Sequence, residues 1–69
     1  MRTWSSVTDR FYDPDMMVFV VNPTQIAKYL KHGATLYDLF DGKDDTLVAV
    51  FSKRETGELY RLWREKELG

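Results

Sequence analysis

The stretch that most constrains the fold is TLVAVF, residues 46–51, because it is apolar on both of its faces. Alternate side chains of an extended chain point to opposite sides. One side of this strand takes Leu47, Ala49 and Phe51, and the other takes Val48 and Val50. A strand with one face in water alternates apolar with polar residues. We therefore expect a strand that is covered on both faces.

Covering both faces is difficult for a chain of 69 residues, which is enough for one small domain. The chain has no cysteine, so disulfides, thiolate zinc sites and cysteine nucleophiles are excluded. A core of this size supplies only about 3–5 kcal/mol of stability. The second face must meet the N-terminal segment, a second copy of the chain or another protein, unless the strand assignment itself is wrong.

The segments before this strand predict a strand and a helix. Residues 16–21, MMVFVV, are short, apolar and rich in β-branched side chains, which favours a buried strand. The helix that follows has Asn22 as its N-cap and Pro23 in its first turn. Gln25 has the position from which a side chain reaches back in a capping box. Gly33 supplies a left-handed end to the helix.

The second half of the chain predicts a hairpin and a second helix. ATLYDLF and TLVAVF are separated by DGKDD, a loop composition typical of a β-hairpin. Ser52 and Glu55 have capping-box spacing, so the last helix begins directly after the strand. Its apolar stripe consists of Leu59, Leu62 and Trp63. The predicted fold is α+β: one small β-α-β-β-α domain, with two helices packed on one face of a three-stranded sheet.

Residues 1–15 predict an irregular N-terminal arm, and residues 16–69 the compact domain. The arm has three aromatic side chains, Trp4, Phe11 and Tyr12, among polar residues. These side chains either pack on the body of the protein or belong to a partly disordered terminus.

Charge and hydropathy limit the partners and the compartment. The chain has 10 basic and 11 acidic residues and a formal net charge of −1, so nucleic acid is an unlikely partner. No apolar run is long enough for a signal sequence or a membrane span. We expect a cytoplasmic protein that does not contact membranes.

The sequence predicts no catalytic, metal or cofactor site, and therefore no enzyme. His32 is the only histidine, and no spacing ties it to a serine nucleophile and an orienting carboxylate. The acidic loop has Asp38, Asp41, Asp44 and Asp45, but it lacks the EF-hand pattern. Aspartate and glycine are the residues that hairpin turns prefer, so a solvated turn is the simpler interpretation.

The candidate protein-interaction surface combines one strand face with one side of the last helix. On that helix an aromatic residue and an arginine surround a glycine at nearly helical spacing, a composition typical of binding hot spots. Glutamates lie between these residues, so a solvated helix with ion pairs is the alternative. The candidate residues are Val48, Val50, Lys53, Gly57, Tyr60 and Arg64.

The pattern N-P-x-Q-x-x-x-Y-x-x-x-G-A, followed by L-V-x-V-F-x-K-x-x-T-x-x-L-Y-x-x-W, covers about residues 18–68. It resembles small β-α-β-β-α proteins of phages and mobile elements of Gram-positive bacteria, a group with no assigned activity. The pattern consists of Asn22, Pro23, Gln25, Tyr29, Gly33, Ala34, Leu47, Val48, Val50, Phe51, Lys53, Thr56, Leu59, Tyr60 and Trp63. The resemblance implies a protein that binds a host protein, for example as an inhibitor of CRISPR defence.

Two functions remain after these exclusions. The first is a non-enzymatic protein-binding module that occupies a surface of a host or phage protein or associates with itself as a homodimer. The second is a small dimeric nucleic-acid-binding regulator that presents its last helix or its hairpin, which the balanced charge disfavours.

Overall fold

A computed structural model describes all of residues 1–69. Five strands and two α-helices follow one another along the chain, with short 3-10 turns at Pro14–Met16 and Lys43–Asp45. Neither helix is long and apolar enough to cross a membrane. The elements are β1 (Thr3–Ser5), β2 (Arg10–Tyr12), β3 (Met17–Val20), α1 (Pro23–Lys31), β4 (Asp38–Asp41), β5 (Leu47–Ser52) and α2 (Lys53–Arg64).

The apolar strand β5 lies at the centre of a three-stranded antiparallel sheet with the order β3-β5-β4. Val18 pairs with Phe51 on one side, and Leu39 pairs with Ala49 on the other. The predicted α+β fold and the order β-α-β-β-α are therefore confirmed for residues 17–64. A central strand has both edges paired, which suits a run of β-branched residues without alternation.

One face of β5 meets the helices. Ala49 and Phe51 are fully buried there, and the ring of Tyr29 from α1 lies 5.3 Å from that of Phe51, at 74°. The half-buried side chains of α2 that pack against this core are Leu59, Leu62 and Trp63, the predicted stripe. The remaining core residues are Val20, Ile26, Ala34 and Leu68. Burial of this face supplies the main hydrophobic stabilisation of the fold.

The N-terminal arm covers part of the opposite face of β5. Val50 has no exposed surface, and its cross-strand neighbour Asp38 points to the same side of the sheet. The Asp38 carboxylate accepts hydrogen bonds from the Ser5 hydroxyl at 2.7 Å and from the Tyr12 hydroxyl at 2.8 Å. Because both donors belong to the arm, the arm lies over this face, and Val50 is buried within a single chain.

The arm is a β-hairpin, which corrects the irregular structure predicted for residues 1–15. Strands β1 and β2 pair antiparallel, with Trp4 opposite Phe11. The rings of these two residues are 4.9 Å apart on the outer side of the hairpin, and both are about half exposed. Each strand has three residues, which is too short for a periodic pattern to show in the sequence. Asp9, with φ of 60°, forms part of the connecting turn.

The end signals of the helices are partly confirmed. The Asn22 side chain accepts hydrogen bonds from two main-chain N–H groups at the start of α1, and Gly33 adopts a φ of 86° after its end. The two predicted capping boxes are wrong. Gln25 donates to the Tyr29 hydroxyl at 2.9 Å, and Glu55 accepts from the main-chain N–H of Thr35. Gln25 therefore pairs within its own helix, and Glu55 pairs with a residue outside its helix, instead of with the N-cap residue.

Candidate interaction surface

The structure divides the six predicted interaction residues into two groups. Val48 is 8% exposed and Val50 is fully buried, so neither side chain is available to a partner. This corrects the expectation that an uncovered face of β5 forms part of the surface, because the arm and the flanking side chains cover it. The four helix residues, Lys53, Gly57, Tyr60 and Arg64, are all exposed.

The exposed helix residues do not act as one unit. The Arg64 guanidinium lies 5.8 Å from the centre of the Tyr60 ring, and the Tyr60 side chain is 52% exposed. Lys53 instead donates from Nζ to the carbonyl oxygen of Asp15 at 3.1 Å. A Cβ on Gly57 would meet no atom within 4 Å, so no close packing requires glycine there. The pair of Tyr60 and Arg64 is therefore the centre of the candidate surface.

An apolar groove runs between strand β3 and helix α2, and we call it the β3–α2 groove. Its volume is about 300 Å³, and six of its nine lining residues are hydrophobic. Two of its polar side chains already have partners within the chain, since Thr56 donates to the carbonyl oxygen of Ser52 at 2.9 Å and Gln25 donates to the Tyr29 hydroxyl. The lining residues are Val18, Phe19, Val20, Val21, Asn22, Gln25, Tyr29, Thr56 and Tyr60.

The groove borders a free sheet edge. Strand β3 pairs with β5 on one side, and no strand pairs with its other side. Outside that ladder, no turn, loop or cap hydrogen bond reaches the main chain of Val18, Phe19 or Val20. Proteins protect free edges with charged residues, proline or bulges, and β3, with the sequence MVFV, contains no charged residue or proline.

A second depression lies beside the groove, and Tyr60 lines both. We call it the basic depression, because three of its six lining residues are cationic and none is acidic. Its volume is about 560 Å³. The Lys28 ammonium lies 5.5 Å from the centre of the Trp63 ring. The lining residues are Lys28, Tyr60, Trp63, Arg64, Lys66 and Leu68.

Two nearby glutamates, Glu58 on α2 and Glu65 at its C-cap, do not neutralise the basic depression. Glu58 and Glu65 both pair with Arg61, with nitrogen–oxygen distances of 2.5 and 2.9 Å. The hydrogen bond from Arg61 holds the pKa of the Glu58 carboxyl below its usual range. No carboxylate lies within 4 Å of the cationic groups of Lys28, Arg64 or Lys66. These three charges are therefore available to an anionic ligand.

A buried polar cluster, formed by Ser5, Tyr12 and Asp38, was missed by sequence reasoning. Burial raises the pKa of the Asp38 carboxyl, but hydrogen bonds from both hydroxyls and from the Leu39 N–H outweigh it and lower the pKa. Burial, together with the Asp38 contact, raises the pKa of Tyr12 to about 12. One clue is visible in the sequence: in the segment ATLYDLF, Asp38 shares a strand face with the apolar residues Leu36 and Phe40.

The hydrogen bonds of the Asp38 cluster hold the arm on the sheet.

His32 and the acidic loop, the other two features weighed as chemical sites, lie elsewhere. The Nε2 atom of His32 lies 2.8 Å from the carbonyl oxygen of Gly69. The acidic loop after β4 forms a 3-10 turn in which Asp44 and Asp45 have φ near 60°. No three carboxylate or histidine side chains are placed to hold a metal ion.

Comparison with protein-family models, with curated proteins and with solved structures gives no match. The resemblance to phage and mobile-element proteins therefore stays a prediction.

Proposed function

We propose that this chain is a non-enzymatic protein-binding module that acts by occupying a surface of another protein. The observation that supports this most directly is the position of Tyr60. Its half-exposed ring lies at the junction of the β3–α2 groove and the basic depression, next to Arg64. Tyrosine and arginine beside apolar pockets are the residues that most often dominate binding energy at protein interfaces.

The resemblance extends the proposal to a biological setting. A phage-like protein would act in a bacterial cytoplasm and would bind a host or phage protein there. Inhibition of a host defence such as CRISPR–Cas is one such action. This part of the proposal is based on the sequence pattern and not on the geometry of the surface.

Affinity capture with matched variants tests the proposal. The immobilised chain is exposed to a lysate of the organism that encodes it, and retained proteins are identified by mass spectrometry. Tyr60→Ala removes the central ring, whereas Phe11→Ala removes a ring of similar exposure, 55% against 52%, on the hairpin. We expect a protein that the wild type and Phe11→Ala retain and that Tyr60→Ala loses. Equal retention by the wild type and both variants, or no retained protein, would refute the proposal.

The second candidate is a nucleic-acid-binding regulator, which the basic depression specifically favours. Aromatic rings beside cationic side chains are typical of surfaces that bind single strands. Against it, the chain has a net charge of −1, and two glutamates lie near Arg64 in the sequence, Glu58 on α2 and Glu65 at its C-cap. Binding to a labelled single-stranded oligonucleotide that weakens steeply with salt would favour this candidate over a protein partner.

A further inference from the structure

We propose that the β3–α2 groove and the basic depression together bind an acidic peptide segment in extended conformation, which adds as a strand to the free edge of β3. This inference rests on the proposed function, because it names the class of partner that the same surface recognises.

The main chain of β3 provides the first element of recognition. Alternate residues of an edge strand direct their N–H and C=O groups away from the sheet, where an added strand can pair with them. The opposite edge, on β4, ends at the exposed carboxylate of Asp41 and continues into a loop with the exposed Asp44 and Asp45. By contrast, residues 17–20 contain no charge, and the ammonium of Lys53 lies just before them, at the carbonyl oxygen of Asp15. An acidic segment would therefore meet more negative charge at β4 than at β3. The edge of β3 is therefore the one that fits.

The groove provides the second element, which is a place for apolar side chains of the added strand. Val18 and Val20 pair with Phe51 and Ala49, so their side chains point to the helix face of the sheet. Side chains of an added strand on that same face would lie beside them, against Tyr60 on α2. A volume of about 300 Å³ accommodates one or two β-branched side chains.

The basic depression provides the third element, which is charge complementarity. Arg64 lies eight residues after Thr56 on α2, about 12 Å along the helix axis. An extended chain covers that distance in about four residues. A segment that runs along α2 with an apolar residue in the groove therefore places a carboxylate near Lys28, Arg64 and Lys66 when an acidic residue follows or precedes it by about four positions.

Selection from a random display library of 12-residue peptides, with the full chain as target, tests this specificity. We expect selected peptides to combine β-branched residues with acidic residues about four positions away. Replacing the acidic residues of a selected peptide by glutamine should weaken binding about tenfold or more, which is about 1.4 kcal/mol. Arg64→Glu should weaken binding of the acidic peptide by at least as much. Arg54→Glu, an exposed arginine of α2 outside the depression, is the matched control and should leave binding unchanged.

Amide measurements test the strand addition separately. We expect hydrogen exchange at residues 17–21 to slow when the selected peptide binds. Methylation of alternate peptide nitrogens in the ligand should abolish binding in one register and spare it in the other. Both results follow from main-chain pairing with one edge of one strand.

The outcomes separate this inference from the proposed function. The inference is overturned when the selection yields no peptide, when selected peptides lack acidic residues, when their binding tolerates Arg64→Glu, or when β3 amides stay unprotected. It is also overturned when a second copy of the chain or the oligonucleotide proves to be the ligand of this edge. In any of these cases, a captured protein that depends on Tyr60 would leave the broader protein-binding proposal intact. If the affinity capture and the peptide selection both fail, the protein-binding proposal and the acidic-peptide inference are both refuted.

Discussion

Removal of the Asp38 carboxylate is expected to release the arm from the sheet and to destabilise the whole fold. The carboxylate accepts three hydrogen bonds, from Ser5 at 2.7 Å, from Tyr12 at 2.8 Å and from the Leu39 N–H at 2.8 Å. Asp38 itself is 8% exposed. Asp38→Ala therefore leaves two buried hydroxyls without their acceptor and uncovers part of the face that contains Val50.

The magnitude follows from the number of bonds and from the size of the chain. A hydrogen bond to a charged group contributes about 1.5–3 kcal/mol, and a buried donor left unpaired adds a desolvation cost. We expect Asp38→Ala to lower the free energy of unfolding by about 3–5 kcal/mol. A chain of 69 residues has a total stability of roughly 3–10 kcal/mol. Asp38→Ala therefore removes a large part of the stability, and we expect the variant to be largely unfolded at 37 °C.

Tyr12→Phe is the milder version of the same experiment, because it removes one hydroxyl and keeps the ring. We expect a loss of about 1–2 kcal/mol. Urea unfolding followed by circular dichroism measures both variants, and amide exchange of residues 3–12 measures the arm alone. Asp41→Ala, at an exposed position of the same strand, is the matched control, with an expected change within about 0.5 kcal/mol.

If Tyr12→Phe and Asp38→Ala unfold at the same urea concentration as Asp41→Ala, the Asp38 cluster does not stabilise the fold. If the amides of the arm exchange equally fast in the wild type and in Tyr12→Phe, the Tyr12 hydroxyl does not hold the arm. Either result would mean that the arm is held by something other than the Asp38 cluster.

Three further predictions concern pH, glycine and surface charge. Stability should fall as the pH drops below about 4, because folding lowers the pKa of Asp38 and the unfolded chain therefore binds a proton at this carboxyl before the folded chain does. Stability should also fall as the pH rises from 10 towards about 12, because folding raises the pKa of Tyr12 to about 12 and the unfolded chain loses its phenolic proton first. Urea titrations at a series of pH values should show that this alkaline loss is smaller in Tyr12→Phe. Gly33→Ala should lower the free energy of unfolding by about 1 kcal/mol, because φ at this position is 86°. Gly57→Ala should raise it by a similar amount, because alanine favours the exposed helix and its Cβ meets no other atom. Melting temperatures that shift in the same direction in both variants would contradict these expectations. Arg61→Ala should leave the urea midpoint of unfolding nearly unchanged, since its ion pairs with Glu58 and Glu65 are exposed. A clear shift of that midpoint to lower urea would show that the pairs stabilise the fold.

Local patterns were sufficient for most of the fold. The cap at Asn22, the left-handed residue Gly33 and the apolar stripe of α2 each involve residues close together in the chain. The period of the apolar residues distinguishes a strand from a helix within such short windows. The order of strands and helices from residue 17 onwards could therefore be predicted without any tertiary information.

The candidate surface was predicted only in part, for a reason of geometry. Tyr60 and Arg64 were recognised from their spacing on one helix. The groove and the basic depression were missed, because their other walls come from β3 and α1. Lys28 lies 35 residues before Trp63 in the sequence, and no local pattern indicates that it lies over that ring.

The composition of β5 required that both of its faces be covered, and this requirement follows from the hydrophobic effect alone. Which segment covers them is a matter of long-range pairing. Ser5 and Asp38 are 33 positions apart, and their contact forms only after the hairpin and the sheet have both been built. Short-range propensities set the individual strands and helices, whereas the packing of the whole chain placed the arm over Val50 and left the edge of β3 free.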